Sequence, residues 1–138
     1  MDFRQTALKN RFRLLLSLSH FKKREGSGPA QTIAELTQKA IDWGYVEDRE
    51  TPKGSMLETW IKKQEGPAWA TKGAARMLLG VEHYAPQDDL ESQAFALTLA
   101  EAMPEQTPEQ LFALIPPDLQ SHVDLDLLTE ACKFKKGQ

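Results

Sequence analysis

The spacing of the apolar residues constrains this chain more than any other feature of its sequence. Apolar residues return at steps of three and four along most of the 138 residues, and no run alternates with period two for long. Such spacing is typical of amphipathic helices and argues against sheets. Leu8, Phe12, Leu15, Leu16 and Phe21, for example, form one stripe of a first helix. The sequence therefore predicts an all-α fold.

Short capping motifs divide the first part of the chain into four predicted helices. Thr32 and Ser55 each precede a glutamate by three positions, which is the pattern of a capping box, and so predict the starts of the second and third helices. The third helix is short, because Gly66 and Pro67 interrupt it, and Pro67 then takes the first position of the fourth. Between the second and third helices, residues 44–54 form a polar connection that is long for a tight turn.

The charge balance of the chain changes sign near residue 84, which predicts a boundary there. Residues 1–84 hold 14 of the 17 Lys and Arg residues but only 10 of the 20 Asp and Glu residues, so their net charge is +4 and that of residues 85–138 is -7. Basic residues at this density face polyanions in some proteins and solvent in others. Further helices are predicted at about 88–103, 107–115 and 124–134. We therefore expect a four-helix part, residues 1–84, followed by a small acidic helical part, residues 85–138.

The sequence contains no recognisable catalytic, metal or cofactor motif. His20, His83 and His122 lie far apart, Cys132 has no cysteine partner, and no glycine-rich phosphate loop follows a strand. We therefore expect no enzyme activity, no metal, no cofactor and no small-molecule substrate. No stretch approaches the roughly 18 uncharged apolar residues of a membrane span, so we expect no membrane partner and a cytoplasmic location.

The order of motifs between residues 8 and 82 resembles the lambda-repressor-like helix-turn-helix family. A basic helix and a helix beginning Thr-Ile-Ala-Glu-Leu precede a short helix, Ser-Met-Leu-Glu-Thr-Trp-Ile-Lys-Lys, and a helix ending Ala-Ala-Arg-Met-Leu-Leu-Gly. In that family a Trp commonly follows a short polar recognition helix, before a Gly- or Pro-containing loop and a fourth helix with small residues and a Leu-Leu pair. The matching positions here are Trp60, Gly66, Pro67, Ala74, Ala75, Leu78 and Leu79. The resemblance covers about half of the chain.

The resemblance implies that the third helix enters the major groove of double-stranded DNA. The candidates that it places against base edges are Lys53, Ser55, Thr59 and Lys62. We expect four further basic side chains to contact phosphates, and they complete the predicted DNA-binding set: Lys63, Arg11, Arg13 and Lys72.

The function implied by the resemblance is that of a phage or bacterial transcriptional regulator, such as a repressor, that occupies a DNA site without catalysis. One short helix reads only a few base pairs, so useful discrimination requires two linked copies, and we expect a homo-oligomer assembled by residues 85–138. The alternative is a small helical protein-interaction module, such as a phage-type inhibitor or adaptor, with no DNA binding. Such a module would expose Phe95, Leu99 and Phe112 as an apolar docking face.

Overall fold

The structure, a computed structural model, describes residues 2–135 of the chain. All regular secondary structure within these residues is helical. The prediction of an all-α fold is confirmed. The helices are α1 (Phe3–Asn10), α2 (Phe12–Arg24), α3 (Pro29–Asp42), α4 (Gly54–Lys62), α5 (Ala68–Leu78), α6 (Asp89–Ala102), α7 (Pro108–Leu114) and α8 (Leu125–Phe134).

The first predicted helix is in fact two helices that meet at Arg11. Asp2 caps α1, where its carboxylate accepts from the amide of Gln5 at 2.7 Å. The break follows from packing, because α1 lies mainly against α6, whereas α2 packs against α5 and α4. Only part of the predicted apolar stripe is buried within α2, since Leu15 is fully buried while Leu16 is 44% exposed.

Two of the predicted helix starts are wrong. Helix α3 begins at Pro29, after Gly28, so Thr32 is not a cap but a buried residue inside the helix. Helix α4 begins at Gly54, and Ser55 is an exposed residue of its first turn. Proline at the first helical position has a suitable fixed φ and no amide hydrogen to satisfy, which allows α3 to begin before the Thr32 motif.

The caps of the last three helices match the sequence motifs. Asp88 accepts from the amide of Glu91 at 3.0 Å to begin α6. Thr107 and Gln110 form a reciprocal capping box at α7. Asp124 accepts from the amide of Leu127 at 2.8 Å to begin α8.

The parts before and after residue 84 share one hydrophobic core, with α6 at its centre. Phe95 and Leu99 of α6 are fully buried in the same cluster as Leu14 of α2 and Leu78 of α5. Helix α6 is buried on nearly every face, because α1, α5 and α8 pack around it. A helix that is apolar all round requires such enclosure. Most of the apolar side chains after residue 84 are therefore covered within one chain.

The same core corrects the docking face expected for a protein-interaction module. Phe95 and Leu99 are inaccessible, and Phe112 is half-buried against the core. The pairing of two copies through other surfaces remains a prediction.

The connection between α3 and α4, residues 43–53, runs back towards the start of α3. A Cβ atom on Gly54 would lie 2.7 Å from the amide nitrogen of Ala30, so the first residues of the two helices are in close contact. Beyond the far end of α4, Gly66 lies against Leu15, and Arg11 donates to the Gly66 carbonyl at 3.5 Å. Helix α4 is thus antiparallel to α2. In a helix-turn-helix unit about 3–4 turn residues join the two helices, so this connection has a different geometry.

Candidate nucleic-acid interface

Helix α4 is attached to the protein along one side only. Leu57 is fully buried, and Trp60 and Ile61 are half-buried against the core. The indole of Trp60 lies edge-on to that of Trp69, with 5.8 Å between the ring centroids. Met56, which the sequence places on the inward side, is instead 43% exposed. A helix held in this way presents its remaining surface to solvent.

Three of the four predicted base-reading residues, and the predicted phosphate contact Lys63, are exposed on α4 or at its caps. Lys53, Ser55, Lys62 and Lys63 are exposed, whereas Thr59 is half-buried. The Thr59 hydroxyl donates to the Ser55 carbonyl at 3.0 Å. Within residues 2–135, the side chains of Lys53, Ser55, Lys62 and Lys63 form no hydrogen bond or ion pair, so their donors are available to a ligand. We call these four residues the α4 donor set.

The N-terminus of α4 adds backbone donors to the same side. Lys53 occupies the cap position and cannot accept a hydrogen bond, so no side chain caps the first amides of the helix. Uncapped amides and the helix dipole favour an anion such as phosphate. Lys23 and Arg24, at the end of α2, lie six and five residues before Pro29, the residue that Gly54 contacts. The start of α4 therefore combines uncapped amides with the charge of Lys53.

Carboxylates interrupt this positive surface. Glu58 is exposed on α4 itself, and Glu47, Asp48 and Glu50 are exposed on the connection before it. The net charge of such a surface cannot by itself hold a polyanion, so binding must depend on the positions of individual donors.

The other three predicted residues lie outside α4, on α2, on α5 and at the junction of α1 and α2. Arg13 of α2 contacts both Asp88 oxygens through Nη1, at 2.8 and 2.7 Å, and Arg11 donates to the Gly66 carbonyl. Lys72 is half-buried on α5. The structure therefore gives Arg13 an intramolecular role that the sequence did not indicate, since its partner lies 75 positions away.

Arg13 also changes the titration of its partner. Its hydrogen bond to Asp88 holds the pKa of that carboxyl below the usual value, and the amide of Glu91 acts in the same direction. The lowered pKa means that the ionised carboxyl contributes to stability above about pH 4, and that this contribution is lost as the pH falls through the folded-state pKa.

Replacement of Arg13 by glutamine should therefore raise the pKa of Asp88 towards the usual value of about 3.9. Carbon-detected NMR of the Asp88 carboxyl across an acid titration measures this change. A Lys9→Gln variant, which removes an exposed charge from α1, is the matched control and should leave that pKa unchanged. An Asp88 pKa that is the same in wild type and Arg13→Gln would show that the ion pair does not form in solution.

One residue near α4 was not found by sequence reasoning. Arg49, in the connection, places its guanidinium 5.2 Å from the ring centroid of Trp69, which also contacts Trp60. The contact depends on how the connection folds, and no local motif marks it.

The described part of the chain offers neither a metal site nor a membrane segment. Residues 2–135 contain no group of three or more His, Cys, Asp or Glu side chains placed to hold a metal ion. None of the helices in that range has the length and apolar character needed to cross a membrane. No protein-family model, curated protein or solved structure matches this chain.

Proposed function

We propose that this protein binds double-stranded DNA through the exposed side of α4 and acts as a sequence-specific transcriptional regulator. The observation that carries the proposal is the α4 donor set, whose side chains share one exposed helix and have no partner within residues 2–135. By contrast, Arg11, Arg13 and Lys22 are engaged in contacts within the chain.

The dimensions of α4 suit the major groove. The groove, about 12 Å wide, admits an α-helix, whose diameter with side chains is about 10–12 Å, and the nine residues of α4 extend about 13 Å along it. Ser55 lies in the first turn, where recognition helices contact base edges, and Lys53 precedes the uncapped amides that favour a phosphate. Lys62 and Lys63 lie at the other end, within reach of a second phosphate. Glu58 between them is able to accept from a cytosine amino group.

We also propose that two linked copies of the chain bind the DNA site together. A helix of this length contacts only a few base pairs, and a single contact of that size gives little discrimination among genomic sites. A symmetric pair that reads two half-sites supplies the missing selectivity. Regulation then follows from occupancy of the site.

The test compares two double variants that each remove two lysine charges. Lys62→Gln/Lys63→Gln changes α4, whereas Lys9→Gln/Lys133→Gln changes exposed lysines of α1 and α8. We expect the α4 variant to bind duplex DNA about tenfold more weakly at low salt. A plot of its log affinity against log salt should also be less steep, by about two in the slope, because two phosphate contacts are lost. The control should bind like the wild type.

Fluorescence anisotropy measures these affinities on labelled duplexes that tile the DNA around the gene for this protein, with random duplexes for comparison. A preference for one tile over random DNA is the expected sign of sequence reading. Absence of duplex binding by the wild type at about 50 mM salt, or equal losses in the two double variants, would contradict the proposal.

A further inference from the structure

A groove of about 460 Å³ lies between α2, α3 and α5, outside the α4 surface. Met77 and Val81, both half-buried, form its apolar floor above the fully buried Leu18. The volume falls within the range of roughly 300–1,000 Å³ that is typical of small-molecule sites. Its size and floor suit a small molecule with an apolar body.

Two cations lie beside one indole at the end of this groove. The Arg76 guanidinium is 4.5 Å from the ring centroid of Trp43, and the Lys39 ammonium is 5.8 Å from the same centroid. Arg76 also donates to the Tyr45 hydroxyl at 3.3 Å, which in turn donates to the Ala102 carbonyl at 2.9 Å. The stacking and the hydrogen bond fix the guanidinium, so little side-chain entropy is lost when it binds a ligand.

The carboxylates that line the groove do not neutralise this end. Glu35 and Glu25 lie 2.9 and 3.8 Å from the ammonium of Lys22. The side chain of Glu82 is 88% exposed and lies beside His83. In the part of the chain that the structure describes, neither Arg76 nor Lys39 has a carboxylate within 4 Å. The Trp43 end is therefore locally positive.

We propose that the groove binds a small organic anion, with its carboxylate or phosphate oxygens on Arg76 and Lys39 and its apolar body over Met77 and Val81. A guanidinium offers a planar pair of donors that matches an oxyanion, and the ammonium adds a second charge. An inorganic anion alone should bind more weakly, because it buries no apolar surface on the floor. This site does not depend on DNA binding by α4.

NMR titration of the full chain tests the proposal, since its three tryptophans give three indole N–H signals. Trp43 lines the groove, whereas Trp60 and Trp69 pack on each other beside α4 and serve as internal references. The probes are phenylacetate, phenyl phosphate, inorganic phosphate and neutral benzyl alcohol. We expect a saturable shift of the Trp43 signal with at least one aromatic anion at about 1 mM. If phenylacetate binds more tightly than phenyl phosphate, the site prefers a carboxylate, and the reverse order indicates a phosphate.

Inorganic phosphate and benzyl alcohol should each bind at least about tenfold more weakly, since inorganic phosphate has no apolar body and benzyl alcohol has no negative charge. Benzyl alcohol binding as well as phenylacetate would overturn the role of the two cations. Inorganic phosphate binding as well as phenyl phosphate would overturn the role of the floor. Absence of any saturable Trp43 shift up to about 20 mM would overturn the site itself.

Variants separate the site from a general surface effect. Arg76→Gln and Lys39→Gln should each weaken the aromatic anion about tenfold, whereas Lys62→Gln on α4 should leave its affinity unchanged. Arg76 contacts Trp43 and Tyr45, so dispersion of the amide spectrum must first show that Arg76→Gln is folded. The ammonium of Lys39 forms no hydrogen bond or ion pair within residues 2–135, so Lys39→Gln should fold normally. This variant keeps the test decisive if Arg76→Gln does not fold. Unchanged affinity in Lys39→Gln would then refute the proposal.

Discussion

Phe95→Ala should lower the free energy of unfolding by about 3–5 kcal/mol, the usual cost of removing a buried aromatic side chain. Phe95 is fully buried on α6, and its ring centroid lies 5.6 Å from that of Tyr84. Because one core joins the two parts of the chain, this loss should reach residues 1–84 as well. All three tryptophans lie there, at positions 43, 60 and 69, so their fluorescence reports on that part alone.

Urea unfolding followed by tryptophan fluorescence and by far-UV circular dichroism measures this effect. With a shared core, both signals should show one transition, and Phe95→Ala should move both midpoints to the same lower urea concentration. Leu90→Ala is the matched control, because Leu90 is an exposed apolar residue of the same helix and its loss should change stability by less than about 1 kcal/mol. A tryptophan midpoint that does not move in Phe95→Ala would mean that the two parts unfold independently.

The sequence predicted those features of the fold that depend on local chemistry. Helical spacing of apolar residues identifies the fold class, since the period of a helix is visible in any short window. The starts of α6, α7 and α8 were predicted correctly because Asp88, Thr107 and Asp124 hold their caps with residues three positions away. Such contacts need no knowledge of the rest of the molecule.

The same motifs failed where packing decides the outcome. Thr32 begins a sequence that fits a capping box, yet it is a buried residue inside α3, which begins three positions earlier at Pro29. The break at Arg11 has no local signal either, since it arises because α1 and α2 pack on different helices. A window of a few residues cannot distinguish a threonine that caps a helix from one that faces a core.

The candidate site likewise has some features that the sequence predicted and others that it did not. Helical spacing placed Ser55, Lys62 and Lys63 on one side of α4, and the structure has all three exposed. It could not show that Arg13 pairs with Asp88, or that Arg76 lies on Trp43, because these partners are 75 and 33 positions apart in the sequence. The number of basic residues in a segment does not reveal which of them already have partners within the chain.

A buried carboxylate on α6 joins three parts of the chain and was also invisible in the sequence. The side chain of Glu91, a residue only 2% exposed, accepts from the hydroxyls of Tyr84 at 2.7 Å and Ser17 at 3.0 Å. Burial raises the pKa of Tyr84 well above its usual range, and the nearby Glu91 carboxylate raises it further, so the phenol keeps its proton and donates. These bonds tie α2 and the segment before α6 to the central helix.

Glu91→Ala should therefore lower the free energy of unfolding by roughly 2–4 kcal/mol, because a buried hydroxyl left without an acceptor costs about 1–3 kcal/mol and two hydroxyls lose theirs. Urea unfolding at pH 7 measures the loss. Asp89→Ala removes an exposed carboxylate from the same turn of α6, so it matches the change in charge and should cost far less. Adding Tyr84→Phe to Glu91→Ala should restore part of the lost stability, since removing both partners of a buried hydrogen bond is milder than removing one. Equal effects of Glu91→Ala and Asp89→Ala, with no recovery in the double variant, would show that the carboxylate is not what holds these segments together.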